Sequence, residues 1–129
     1  MSWQYFTDNE LKCRCGCGNA DMELGFMEKL IALREHLDFP FIITSAYRCP
    51  EYNQKVSTTG PNGSHTTGRA IDIAVYGEQA YKLIRYAPQF KFNGIGVSQT
   101  GSHRSRFIHL DDLTRVDGYP RPWVWGYNK

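Results

Sequence analysis

Apolar positions along the chain recur at two different periods. Phe26, Leu30, Leu33 and Leu37 fall at helical spacing, and Met27 and Ile31 widen the stripe. Residues 22 to 37 are therefore expected to form a helix with one apolar face, Asp21 standing where an N-cap would and Pro40 marking the stop. Phe41-Ile42-Ile43-Thr44 is β-branched and aromatic and predicts a buried strand. The polar segment SAYRCPEYNQKV after it suits a turn or short helix, and TTGPNGS reads as a loop. A second strand is expected over Ala70 to Val75. Residues 78 to 87 carry Ala80, Leu83, Ile84 and Ala87 on one helical face, with Pro88 as terminator. Phe92 to Val97 and Arg106 to Leu110 flank the polar SQTGSHRS and predict a hairpin with a long turn. This order gives an α+β fold, a small and mostly antiparallel sheet with helices packed on one face. The tail RPWVWGY is aromatic enough to pack back on the domain.

With 129 residues and no repeat, linker or low-complexity stretch, one domain over residues 1–129 is expected. The formal charge is only +2 and the basic residues are scattered, which argues against nucleic acid as a partner. Nothing approaches the roughly 20 apolar residues that span a bilayer, so no membrane insertion is expected. The start MSWQYFTDNELK lacks the basic-then-apolar order of a signal peptide, which points to a cytoplasmic protein. A monomer is expected.

Asp72 interrupts this pattern. A carboxylate in the middle of an apolar strand is costly unless a hydrogen-bond network or a cation sits beside it. His65 lies just upstream, across a turn carrying Gly68, and His109 stands in a later strand. Imidazole nitrogen and carboxylate oxygen are natural zinc ligands, and three protein ligands with an open fourth position define a catalytic rather than a structural site. Cys13, Cys15, Cys17 and Cys49 leave three readings open: a disulfide clip, a structural four-thiolate zinc site, or free thiols.

Three segments in order resemble the D-Ala-D-Ala zinc metallopeptidases of the bacterial cell wall, which include phage endolysin peptidases and share a zinc fold with hedgehog domains. His65-Thr66-Thr67-Gly68-Arg69-Ala70-Ile71-Asp72 follows that family's H-x-x-G-x-A-x-D, and Phe107-Ile108-His109-Leu110-Asp111 its aromatic-x-His-x-Asp strand. Ser45-Ala46-Tyr47-Arg48-Cys49-Pro50-Glu51-Tyr52-Asn53 follows its S-x-Y-R-x-P-x-x-N segment. The resemblance implies a hedgehog-like peptidase fold and a zinc cofactor on His65, Asp72 and His109. It also implies zinc-dependent hydrolysis of peptidoglycan stem peptides, by a D-Ala-D-Ala carboxypeptidase, an endopeptidase or a phage lysin that stays cytoplasmic until released to the wall. Arg48 is the expected clamp for a substrate carboxylate or oxyanion, with Ser64 as a further substrate contact, although the serine often found two residues before the first ligand is Gly63 here. Relatives often place a carboxylate three residues before the last ligand, where this chain has Arg106, so Asp111 and His103 become the candidate bases. The alternative is a zinc-containing module that binds wall or protein without turnover, or a zinc-ribbon domain whose only metal sits on the thiols.

Overall fold

The computed structural model describes residues 3–127. Its helices are α1 (Asp8–Leu11), α2 (Leu24–Leu37), α3 (Pro50–Val56) and α4 (Gly77–Tyr86). Its strands are β1 (Ile42–Ser45), β2 (Ala70–Ala74), β3 (Gly94–Ser98), β4 (Phe107–Asp111) and β5 (Trp123–Gly126). They form one sheet in the order β1-β2-β4-β3-β5. All neighbours are antiparallel except β3 and β5, which run parallel. Among the described residues no helix is long and apolar enough to cross a membrane.

Side chains alternate across a strand, and this alternation divides the sheet's labour. Ile71 and Ile73 of β2, Ile95 of β3, and Ile108 and Leu110 of β4 join the core with Phe26, Leu30 and Leu33 of α2 and Ala80 and Leu83 of α4. The opposite face receives Asp72, His109 and Asp111, all buried. Asp72 of β2 lies directly across from His109 of β4, which faces Gly96 of β3, which faces Trp125 of β5. The polar face is thus set by register alone.

Two details depart from the pattern-based expectation. The cap of α2 is Glu23, whose side chain accepts from the Phe26 N–H at 3.0 Å, and not Asp21. Asp21 is taken up elsewhere, since its backbone carbonyl packs against Gly68 while Glu23 N–H donates to Gly68 O at 2.9 Å. The tail does more than pack back, because Trp123–Gly126 extends the sheet as a fifth strand.

Gly68 has a left-handed backbone (φ 74°), and a Cβ there would collide with the Asp21 carbonyl. The positive φ costs a side chain about 1 kcal/mol or more, and a collision with backbone cannot be relieved by a rotamer change. Gly68→Ala is expected to destabilise the fold by about 2–4 kcal/mol, read as a lower urea midpoint at unchanged m-value.

Candidate metal centre

His65 sits in the single-turn 3₁₀ segment Ser64–Thr67, between the loop after α3 and strand β2. Its Nδ1 lies 2.7 Å from the carbonyl oxygen of Ala46. A carbonyl can only accept, so Nδ1 carries a proton and Nε2 is the nitrogen turned toward the centre. That nitrogen faces Asp72 Oδ1 at 3.3 Å. From β4, His109 Nδ1 approaches the same oxygen at 3.0 Å, while its Nε2 meets Asp111 Oδ2 at 2.8 Å.

Asp111 is fully buried behind His109. Arg121 grips it with Nε on Oδ1 at 2.9 Å and a terminal nitrogen on Oδ2 at 2.8 Å, and Leu113 N–H adds a bond to Oδ1 at 3.3 Å. Burial opposes the charge on Asp111, but the bonds from His109 and Arg121 outweigh it and bring the carboxyl down to about 2. Asp111 is therefore an anion whose position holds a proton on His109 Nε2 and turns Nδ1 toward Asp72. Asp72 is held well below the usual carboxylate range against the effect of burial, by the charge of His65 and the hydrogen bond from His109. Burial likewise opposes a charge on His109, and the carboxylates of Asp111 and Asp72 overcome it, raising the imidazole to about 9.

Positive charge is what this centre demands. A proton on His109 supplies that charge here, and an ion taking its place would meet two imidazole nitrogens and a carboxylate oxygen, because the donor atoms of His65, Asp72 and His109 all lie within 4.8 Å. The set is that of a three-ligand zinc site, each histidine oriented through its other nitrogen by an acceptor behind it. The residues present fit such an ion.

The centre opens on a cleft of about 820 Å³. One wall comes from residues 56–59 and 62–64, the other from the tail through Tyr119, Trp123, Trp125 and Tyr127. Gly96 keeps the floor low, because a Cβ there would come within 2.6 Å of the Tyr127 hydroxyl and 2.7 Å of the Trp125 ring nitrogen. A Cβ on Gly94 would collide with the Asp111 carboxylate and reach within 2.5 Å of Arg121 Nε.

Of the residues singled out from the sequence, Arg48 and Ser64 line the cleft together with His65, Asp72 and His109. Asp111 stands behind the histidine, away from the cleft lining. His103 lies in the exposed turn His103–Ser105, stacked on Tyr76 with ring centroids 4.1 Å apart, and does not line the cleft. Arg106 turns away to bond the Gly101 carbonyl. Sequence reasoning missed Arg121, Trp125, Tyr127 and the Ala46 carbonyl. The one signal for the first three was the aromatic tail itself, and for the floor the Gly94-Ile95-Gly96 alternation.

A family model described as Peptidase M15 matches residues 4–111. No curated protein and no solved structure matches the chain. The matched segment contains the three converging donors and Arg48, and it ends before the tail that walls the cleft.

Proposed function

The chain belongs to the peptidase M15 family, a zinc-dependent group that acts on peptides, and from that premise we propose that it hydrolyses amide bonds in the stem peptides of peptidoglycan. His65, Asp72 and His109 would hold the zinc. When bound, such an ion polarises the scissile carbonyl and lowers the pKa of a water from about 15.7 toward about 7. The observation that carries this reading is the approach of His65 Nε2 and His109 Nδ1 to one oxygen of Asp72, in a cleft of about 820 Å³.

The protein's own residues supply the rest. Arg48 donates through Nε to Ser45 Oγ and through a terminal nitrogen to Asn53 Oδ1, both at 3.1 Å. Both partners are neutral, so the guanidinium is aligned without being neutralised, and its charge serves a substrate carboxylate or the oxyanion of the scissile group. Ser64 adds a polar contact on the same wall. Burial pushes the Tyr127 phenol up to about 12, so it keeps its proton at neutral pH and can donate into the cleft. Asp111 acts through His109 as a positioning residue, since Arg121, Leu113 and His109 already occupy its oxygens.

A charge-assisted hydrogen bond is worth about 1.5–3 kcal/mol. Arg48→Ala should accordingly lower kcat/KM on a stem peptide by about 10- to 100-fold, and Arg48→Lys should recover part of the loss.

A second reading, a zinc-containing module that binds wall without cutting it, draws on one observation. Among the described residues lining the cleft, Asp72 is the only carboxylate, so neither candidate base stands over the donors. Release of new amino termini from purified peptidoglycan separates the two. The peptidase reading expects release by the native protein and none by His65→Ala. Zinc retention and wall binding without release would replace it with the binding module. Free D-alanine among the products would identify a carboxypeptidase, and larger fragments alone an endopeptidase.

A further inference from the structure

Outside the cleft, a second group of metal-ligating side chains converges where the N-terminal arm meets the start of α3. Cys13, Cys15 and Cys17 come from the loop after α1, and Cys49 is the residue that precedes α3. All four are unbonded thiols. Their sulfurs lie within 4.8 Å of one another, and Cys49 Sγ is 3.7 Å from both Cys13 Sγ and Cys15 Sγ.

These separations discriminate between the possible states of the cluster. A disulfide needs sulfurs about 2.05 Å apart, and it would pair two cysteines while leaving the other pair without a reason to gather at the same point. Four thiolates around a tetrahedral zinc, at Zn–S of about 2.3 Å, stand about 3.8 Å from each other. The observed 3.7 Å separations match that tetrahedral edge. The backbone N–H of Cys49 points at Cys13 Sγ at 3.3 Å, a donor that favours the thiolate. Cys13 is buried while Cys15 and Cys17 are exposed, so an ion has a way in from solvent.

We propose that Cys13, Cys15, Cys17 and Cys49 form a closed, structural zinc site distinct from the centre at His65, Asp72 and His109. Four protein ligands leave no position for substrate, so its role is to fasten the arm to the segment that builds the cleft. Tyr47 N–H already bonds Leu11 O at 3.1 Å, Arg48 N–H bonds His65 O at 3.1 Å, and Ala46 O orients the His65 ring. All three residues stand within three positions of Cys49. A metal on the thiolates thus holds in place both the residue that faces the cleft and the carbonyl that sets the tautomer of His65.

The test is metal stoichiometry in three proteins, with native-state thiol reactivity as a measurement that needs no variant. The native chain is expected to hold two zinc equivalents. His65→Ala is expected to keep one, and the double variant Cys15→Ser/Cys17→Ser to keep one. After cobalt exchange, the intense sulfur-to-metal absorption is expected in the native protein and His65→Ala, and absent from the cysteine variant. The four thiols of the zinc-loaded native protein should resist alkylation and become reactive on chelation. Unchanged zinc content in Cys15→Ser/Cys17→Ser, prompt alkylation of the zinc-loaded native chain, or a disulfide among these cysteines in purified protein would each overturn the proposal. Because His65→Ala retains the thiolate metal, failure of the peptidase reading and failure of this one give different results.

Discussion

Replacing Arg121 by leucine is expected to cost the fold about 3–5 kcal/mol, the penalty of leaving a buried carboxylate without its cation. Asp111 is fully buried and Arg121 is its bidentate partner, so no water can take over the role. The measurement is urea unfolding of chelated protein, so that a bound metal does not enter the balance. The double variant Asp111→Leu/Arg121→Leu is expected to regain most of that stability, because it removes both charges together. It should not regain zinc affinity. With no carboxylate behind Nε2, the ring of His109 loses its orientation, and affinity at the cleft site should fall about 10- to 100-fold in a competitive chelator titration. Recovery of both properties in the double variant would show that Asp111 matters only to folding.

The second large effect is expected at Asp72. Its Oδ1 is the atom on which both histidines converge, at 3.3 Å and 3.0 Å. Asp72→Ala removes the anion and leaves two imidazoles close together with nothing to offset a cation, so the cleft site should lose its metal. Peptidase activity should then drop by more than the about 10³-fold that deleting one transition-state donor costs. Folding should suffer less than in Arg121→Leu, because His109 keeps Asp111 as its partner and no buried charge is left unpaired. Kinetics with added zinc distinguishes weakened binding, which high metal restores, from loss of the site, which it does not.

Much of this architecture was legible in the residues because local pattern and tertiary role agree. The apolar stripe of α2 reports its buried face, the alternation in Ala70–Ala74 and Phe107–Asp111 separates core-facing from cleft-facing side chains, and the anomaly of Asp72 inside one strand marked the polar face before its partners were known. His65, Asp72 and His109 could be brought together only through motif order, since register between β2 and β4 is a tertiary fact. What escaped was set by distant closure. Strand β5 pairs in parallel with β3 across some thirty residues, and three of its four residues are exposed, so no buried face announced it. The Arg121–Asp111 pair depends on that closure, and so the true setting of Asp111 was hidden. Helix α1 has only four residues, held by a Thr7–Glu10 capping box, too short for periodicity to register. The alternate spacing of Cys13, Cys15 and Cys17 left a clip to Cys49, a four-thiolate site and free thiols all open, because only the folded chain brings the four sulfurs together.

Anomalous scattering at the zinc edge, from crystals of the protein grown with zinc in excess of two equivalents per chain, addresses the cleft directly. The expected map has a peak bonded to His65 Nε2, Asp72 Oδ1 and His109 Nδ1, with a fourth position open to the cleft. A map whose only zinc lies among the cysteines, or one in which the three donors hold no metal, would contradict a metallopeptidase centre at this site.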